Sequence, residues 1–190
     1  MNASDRVKAH FEHHLGPLVR ITEGHRSDDG RAGDCLIATF ADQPAEGAFT
    51  LVTVGLSDQP LVGPEDETVR QELLLCGWEA DLDDRLCAVL LALAQTLRES
   101  GETANAGDLI ELDEPLSDRG DLHHVFLYPP TYHPEALETI PAAAGEDEIE
   151  ILWLIPVTAE EARKIREEGP EAFEQYLAAH DPDLLDLGRE

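Results

Sequence analysis

Basic residues are scarce in this sequence. Its 190 residues include 13 lysines and arginines against 41 aspartates and glutamates, a formal net charge of -28 that is spread along the whole chain. Because phosphate binding needs a basic face, nucleic acid and anionic membranes are disfavoured as direct partners. The acidity favours a basic protein partner, and it is equally typical of a domain adapted to high salt or kept soluble by like charge. Composition leaves both interpretations open.

Long apolar runs are also missing. No stretch of 18 apolar residues occurs, and the beginning "MNASDRVKAHFEHHLG" carries charges where a signal peptide needs an apolar segment. A cytoplasmic location is therefore expected. The hydrophobic content of 42% is enough for a core, so residues 1–190 are expected to form one domain that folds alone.

Cysteine is too rare to indicate a disulfide framework. Cys35, Cys76 and Cys87 are odd in number, lack CxxC spacing and stand in apolar contexts. They are predicted to be reduced, small hydrophobic side chains without a disulfide or a metal.

A phosphate-binding loop is missing from the turn after "EIEILWLIPVT". Such a loop needs glycines with Lys and Ser or Thr, so nucleotide binding is not expected. Pro156 cannot donate to a continuing ladder, and we predict that the strand ends there. Thr158 and Glu161 have the spacing of a capping box at the start of a helix. Gly169 and Pro170 are suited to end that helix and begin another.

The periodicity of the chain predicts an α+β domain. Strands and helices alternate in several groups, which indicates a mixed, largely antiparallel β-sheet covered by helices in a single domain. The first three strands are predicted to form an antiparallel meander. The predicted helices are 4–15, 82–99 and two after Thr158, and the predicted strands are 18–22, 35–41, 48–56, 69–78, 109–112, 122–130 and 149–155.

Groups that could carry catalysis are few. "VGLSDQ" offers Gly55 and Ser57 as the first half of a nucleophile elbow, but Gln59 stands where the final glycine belongs. A turn at a strand end is the favoured interpretation. Arg70 and Glu72 share one face of a strand and are a candidate buried ion pair that fixes the register of the sheet. A lone carboxylate does not define a reaction, so no catalytic residue and no cofactor are predicted.

The histidines offer a metal site as an alternative. His10 and His14 share one face of the first helix at a spacing that zinc can use, with His13 beside them. No carboxylate base lies between them as in HExxH, and a solvated helix face is the simpler interpretation. We therefore predict no metal, even though further histidines could in principle complete a site: His25, His123, His124 and His133.

The acidic residues cluster in short segments that lack the spacing of a calcium loop. Each cluster is most simply a solvated turn or a helix start, where carboxylates favour the positive end of the dipole. Some of them are candidates for contact with a basic partner, because they flank an aromatic residue or lie on a polar turn. These candidate partner-binding residues are Trp78, Asp81, Asp83 and Asp84 in one segment and Glu65, Asp66 and Glu67 in another.

Several short segments together resemble the Suppressor of fused family. Their order along the chain carries the resemblance, which is clearest over about residues 50–180, and the final segment is the most specific. The segments are "TVGLSDQP" at 53–60, "RQELLL" at 70–75, "GDLIELDEPL" at 107–116, "FLYPP" at 126–130 and "WLIPVTAEEARKIREEGPEAFEQYL" at 153–177.

This resemblance implies an α+β binding domain without catalysis. Animal members look like this domain with an additional C-terminal region, and they sequester a transcription factor by gripping a short peptide; here that region is expected to be missing. Single-domain bacterial relatives are thought to include immunity proteins of polymorphic toxin systems. Many such toxins are basic nucleases, which suits an acidic inhibitor. The alternatives are a hydrolase or metal-dependent enzyme that uses histidine and carboxylate groups, or a salt-adapted acidic domain.

Overall fold

A nine-stranded sheet forms the centre of the computed structural model, which describes residues 3–24, 35–142, 145 and 147–189. Within those ranges the strands are β1 (Arg20–Glu23), β2 (Leu36–Ala41), β3 (Ala48–Val54), β4 (Leu61–Val62), β5 (Thr68–Trp78), β6 (Leu109–Glu111), β7 (His124–Tyr128), β8 (Thr139–Ile140) and β9 (Ile149–Val157).

The strands are ordered β1-β2-β3-β5-β9-β7-β6, with the two-residue strands β4 and β8 paired to β5 and β9. Every pair is antiparallel except β5 with β9, which is parallel. A parallel pair needs a long crossover, and α2 and three strands lie between β5 and β9 in the sequence. The predicted mixed, largely antiparallel sheet and the β1-β2-β3 meander are confirmed.

Helices cover both faces of the sheet. The helices are α1 (Ala3–Leu15), α2 (Asp84–Ser100), α3 (Ala159–Glu168) and α4 (Pro170–His180). Phe11 of α1, Ile165 of α3 and Phe173 of α4 belong to the core on one face. Leu86 and Leu90 of α2 belong to the core on the other. The sheet is thus the middle layer of three, and the α+β prediction is confirmed.

Strand β9 is almost wholly apolar because both of its faces are buried. Ile151 and Trp153 face the core beneath α1, α3 and α4, and Leu152 and Leu154 face the core beneath α2. All four side chains are at most 1% exposed. A strand with one face in water alternates apolar and polar residues, whereas a strand buried on both faces has apolar residues at consecutive positions.

The prediction that β9 ends at Pro156 is wrong. The strand continues to Val157, and Pro156 is the register partner of Val125 in β7. The pairing of β5 with β9 ends at Trp153, before Pro156. On that side of β9 no strand therefore requires a hydrogen bond from residue 156, and the missing N–H of proline breaks no ladder. The Pro156 carbonyl accepts a hydrogen bond from the Arg189 guanidinium instead. A proline is tolerated in a strand where the ladder on its side has ended.

The predicted capping box is confirmed. The Thr158 hydroxyl accepts from the Glu161 amide at 3.2 Å, and the Glu161 carboxylate accepts from the Thr158 amide at 2.7 Å. Gly169 follows α3 with a φ of 90°, and Pro170 is the first residue of α4. The chain therefore reverses between two helices without a loop.

Three free cysteines lie in or beside the core. Cys76 and Cys87 are buried, and burial raises the pKa of the Cys76 thiol to about 12. Cys35 is half-buried, and its pKa is also raised to about 12, mainly by burial. The three side chains are small apolar groups, as the sequence predicts. In the described part of the chain, no helix has the length and apolar content to cross a membrane.

Candidate protein-binding surface

A buried carboxylate joins two of the segments that carry the family resemblance. Glu72 in β5 is fully buried and accepts four hydrogen bonds, one from the end of β3 and three from the turn that follows it. Its Oε2 accepts from the Thr53 hydroxyl at 2.6 Å. Its Oε1 accepts from the Gly55 amide at 2.9 Å and from the Ser57 amide and hydroxyl at 3.1 and 2.6 Å. Glu72 therefore determines the conformation of the turn in "TVGLSDQP".

The predicted ion pair between Arg70 and Glu72 is wrong. Arg70 donates to the Ser57 carbonyl at 2.5 Å, and its Nε lies 3.4 Å from Asp147 Oδ2. Glu72 is satisfied by neutral donors, and the Arg70 guanidinium contacts Ser57 and Asp147 instead of Glu72. Burial raises the pKa of Glu72 to about 7, and its four donors oppose that shift.

Ser57 has the structural role that was favoured over the nucleophile elbow. It is buried in a three-residue 3-10 turn (Leu56–Asp58), and its hydroxyl donates to Glu72. A substrate cannot reach a side chain with no exposed surface. The turn is therefore held together by Ser57 and Glu72.

The histidines of α1 lie on a half-buried face, which corrects the prediction of a solvated one. His13 is exposed, but His10 and His14 are partly buried with ring centroids 4.6 Å apart. Burial, with His14 nearby, lowers the pKa of His10 to about 4. Across the described ranges, no group of three or more histidine, cysteine or acidic side chains could hold a metal ion. His25 lies outside the described residues.

Of the other candidate histidines, His123 and His124 are adjacent in the sequence, and His123, His124 and His133 each contact a different polar side chain. His133 is buried, with Nε2 3.1 Å from the Thr50 hydroxyl, and burial lowers its pKa to about 4. His123 lies 3.0 Å from Asp121, and His124 lies 3.8 Å from Glu111 on β6. These contacts are pairs, not a centre with several ligands.

The first candidate cluster has mostly internal contacts. Asp81 is 8% exposed and lies 3.1 Å from Arg119. Asp83 caps α2 by accepting from the Leu86 amide at 3.2 Å. Asp84 is exposed and lies 2.7 Å from Arg20. Of these three acids, only Asp84 is both largely exposed and part of a surface ion pair.

Trp78 and the second cluster lie at opposite ends of β5. The Trp78 indole donates to Asp183 Oδ2 at 2.8 Å, near the C-terminal end of the strand. Glu65, Asp66 and Glu67 are exposed on the turn before the strand begins at Thr68. Eleven strand residues span about 33 Å, so a small contact cannot include both ends.

Two neighbouring cavities flank residues 181–184. The first, which we call the charged cleft, has a volume of about 760 Å³ between α3, α4 and the segment around Arg119. Its basic groups are paired internally: Arg119 with Asp186 at 3.0 Å and Arg189 with Glu161 at 2.7 Å. Asp183 lines the charged cleft and accepts the hydrogen bond from Trp78, so the cleft adjoins this indole.

The second cavity, which we call the aromatic pocket, has a volume of about 240 Å³. It lies between the end of β7, the middle of β9 and the C-terminal end of α4. Its lining residues are Tyr128, Thr131, Tyr132, Trp153, Ile155, Glu174, Leu177, Asp181, Pro182 and Leu184. The aromatic residues of its lining and the acidic residues at its rim make the pocket suited to a cationic or amphipathic group of another molecule.

Sequence reasoning missed the aromatic pocket. Tyr132 follows β7 within "FLYPPTY", Trp153 lies in the apolar run of β9, and Asp181 ends α4. The three are far apart in sequence, and each has an ordinary structural explanation by itself. Only the pairing of β7 with β9 and the packing of α4 bring them together.

The family model for Suppressor of fused protein (SUFU) matches residues 34–190. The match starts earlier than the resemblance seen in the short segments, and it includes β2 and β3. Immunity protein YqcF of Bacillus subtilis (strain 168) is 24% identical over 166 residues, which cover 86% of this chain and 84% of that protein.

Solved structures share the fold. A SUFU homologue from Neisseria gonorrhoeae FA 1090 has a TM-score of 0.75 at 16% identity, covering 99% of this chain and 95% of that one. The Sufu–Fu complex structure has a TM-score of 0.70 at 13% identity, covering 96% and 86%. Drosophila Suppressor of Fused has a TM-score of 0.71 at 14% identity; the match covers 98% of this chain and 49% of that longer one.

Proposed function

The chain belongs to the Suppressor of fused family, and from this premise we propose that it is a non-catalytic protein-binding domain that acts as an immunity protein against a cognate toxin. The observation that carries the proposal is the similarity, over 86% of the chain, to a protein named as an immunity protein. The Sufu–Fu complex supports the broader part, because it is a structure of a family member with a protein partner.

The charge of the chain supports a basic partner. With 41 acidic and 13 basic residues, most of the surface repels anions and attracts cations. In the charged cleft, even the basic side chains are paired with acids of the same chain. A nuclease toxin has a basic cleft for nucleic acid, and carboxylates presented there would compete with phosphate. We therefore propose a basic, nuclease-like toxin as the partner.

The burial of the two polar residues Ser57 and Glu72 supports a non-catalytic role. Ser57 and Glu72 are both fully buried and bonded to each other. An enzyme needs its base and nucleophile to reach a substrate. The hydrolase alternative would have to rely on other groups, because neither Ser57 nor Glu72 can reach a substrate.

Neutralisation of a toxin tests the proposal. The protein encoded by the reading frame adjacent to this gene is expressed from an inducible promoter in a bacterial host, with and without the present chain. The expected result is growth arrest by the adjacent product alone, restored growth when the chain is present, and a stoichiometric complex of the two purified proteins on gel filtration. An exposed-surface variant, Glu99→Gln with Glu102→Gln, serves as a matched control and is expected to protect like the wild type.

The proposal fails if the adjacent product arrests growth and the chain neither protects the cells nor forms a complex. It also fails if the adjacent product is harmless. Protection without a complex would contradict the binding mechanism and favour an enzymatic one, in which the chain modifies the toxin or its product.

A further inference from the structure

The aromatic pocket has an open aromatic wall. The rings of Tyr132 and Trp153 lie with centroids 4.7 Å apart at an interplanar angle of 44°. Tyr132 is 40% exposed, whereas Trp153 is 1% exposed beneath it. Tyr128 completes the lining on the β7 side. Planar cations are attracted to the faces of such rings.

Carboxylates stand at the rim of the pocket. Glu174 of α4 and Asp181, which follows α4, are exposed and line the cavity. These carboxylates are close enough to affect the two tyrosines of the pocket. Burial and the Glu174 carboxylate raise the pKa of Tyr128. Burial, Asp181 and Asp183 raise the pKa of Tyr132. No lysine or arginine of the described chain lines the pocket, and nearby Arg189 is paired with Glu161.

The end of α4 adds to the negative potential. The helix runs for 11 residues to His180, and Asp181 caps its C-terminus in a left-handed conformation with a φ of 44°. The C-terminus of a helix carries the negative end of its dipole, which favours a cation in the adjoining space. The aromatic rings, the two carboxylates and the C-terminal end of α4 therefore all favour a positively charged group in the pocket.

A donor inside the pocket lining lacks an acceptor. The Trp153 indole N–H is buried and has no hydrogen-bond partner among the described residues. An unpaired buried donor is unfavourable, because it has given up its bond to water. The Trp153 ring lies beneath the exposed Tyr132 ring, so the signal of its N–H reports on changes at the wall of the pocket.

We infer that the aromatic pocket receives an arginine side chain of the partner protein. The inference rests on the proposed function, because it presumes a basic protein partner. A guanidinium is planar, stacks on aromatic rings and forms two parallel hydrogen bonds with a carboxylate, so it satisfies the wall and the rim together. A lysine ammonium has no flat face to stack, and an anionic side chain is repelled by Glu174 and Asp181.

The pocket is tested with a small probe, independent of any toxin. The probe is N-acetyl-arginine-methylamide, and the matched neutral probe is the citrulline analogue, which has the same shape without the charge. The readout is the NMR signal of the Trp153 indole N–H, identified by its persistence in Trp78→Phe. We expect saturable shifts with a dissociation constant on the order of millimolar for the arginine probe, and binding at least roughly fivefold weaker for the citrulline probe.

Variants at the rim make the test specific. Glu174→Gln with Asp181→Asn keeps the shape of both side chains, and asparagine tolerates the left-handed backbone at position 181. This double variant is expected to weaken arginine-probe binding by roughly fivefold. The control Glu99→Gln with Glu102→Gln removes the same charge from the end of α2 and is expected to bind like the wild type.

The inference is overturned if the citrulline probe binds as well as the arginine probe, if the rim variant binds like the wild type, or if the Trp153 signal does not shift. The neutralisation assay separates this inference from the function. If the rim variant protects cells as fully as the wild type, the pocket is not a contact for the toxin, although the immunity function stands. If wild type does not protect at all, the function itself is wrong, whatever the probe does.

Discussion

At the scale of single residues, Glu72 is the polar group on which the turn after β3 depends. Replacement by leucine would leave the Gly55 and Ser57 amides and two hydroxyls without an acceptor, and we expect the free energy of unfolding to fall by about 3–5 kcal/mol. Glutamine keeps an oxygen for the donors on Oε1 and offers an N–H to the Thr53 hydroxyl. Glu72→Gln should therefore cost about 1 kcal/mol. Urea unfolding of both variants measures the difference.

The same pair of variants bears on catalysis. A folded Glu72→Gln protein should bind and protect like the wild type, because its carboxylate has no exposed surface. A folded variant that has lost protection would contradict the structural role of Glu72 and favour the enzyme alternative. Equal losses of stability in Glu72→Gln and Glu72→Leu would contradict the hydrogen-bond account.

His133 gives stability a dependence on pH. Its pKa in the folded protein is about 4, below the ordinary value of 6.5, because burial disfavours the charged ring. The unfolded chain therefore binds more protons between these two values, so the unfolding free energy is lost as the pH falls through this window. Between pH 7 and pH 5 the loss from His133 is expected to be about 1–2 kcal/mol.

The measurement is urea unfolding at pH 7 and pH 5. In His133→Gln, which keeps a group for the Thr50 hydroxyl and cannot titrate, the difference between the two pH values should be smaller than in the wild type by that amount. The exposed His180→Gln variant is the control and should retain the wild-type difference. His10 and Glu72 also titrate in this range, but they contribute alike to all three proteins. An unchanged pH dependence in His133→Gln would refute the assignment.

At the scale of elements, the helix starts were predictable because their signals are local. Thr158 and Glu161 are three residues apart and each accepts a hydrogen bond from the other's backbone amide, so their spacing alone contains the motif. Strand β9 was predictable as a strand from its apolar run, but its end was not. Whether Pro156 interrupts a strand depends on where β5 stops, and that is a property of the sheet.

The capping box of α3 yields a prediction at this scale. Thr158→Ala removes the side chain that accepts from the Glu161 amide, and we expect the unfolding free energy to fall by about 1 kcal/mol. Binding to the partner should be unchanged in the folded protein, because the hydroxyl satisfies a helix end. Thr158→Ser retains the cap and is the matched control. A folded Thr158→Ala protein without partner binding would show that this turn contacts the partner.

The partners of Glu72 illustrate what sequence could not supply. Arg70 is the nearest charge on the same face of the same strand, which made an ion pair the natural expectation. The actual partners are Thr53 at the end of β3 and Gly55 and Ser57 in the turn after it, which the register of β3 against β5 places beside Glu72. One candidate acid had the same difficulty, since the contact of Asp81 with Arg119 requires the tertiary fold, whereas the contact of Asp83 with the Leu86 amide is a local helix cap.

At the scale of the whole molecule, the net charge of -28 is the property that the proposed function uses most directly. Dispersed surface carboxylates attract a basic protein over a Debye length of about 10 Å at 0.1 M salt, and they affect the rate of encounter more than the lifetime of the complex. A salt-adapted or merely soluble acidic domain has no partner whose association depends on these charges. The ionic-strength dependence of association therefore separates the two explanations.

Three charge variants address different parts of the surface. Glu65→Gln with Asp66→Asn and Glu67→Gln removes three exposed charges at one end of β5. Asp84→Asn removes an exposed acid of the other predicted cluster and spares Asp81 and Asp83, which have structural contacts. Glu174→Gln with Asp181→Asn removes the rim of the aromatic pocket. A cluster that faces the partner should slow association at low salt, with the difference from wild type shrinking as salt rises.

The measurement that tests the account most directly is the association rate constant between this chain and the purified toxin domain encoded beside its gene, from low to high salt, for wild type and the three charge variants. The account predicts that the wild-type rate falls on the order of tenfold between 20 mM and 500 mM salt, while the dissociation rate changes much less, and that at least one variant associates more slowly at low salt only. An association rate that is insensitive to salt and to every acidic cluster would contradict a charge-complementary partner and assign the acidity to solubility.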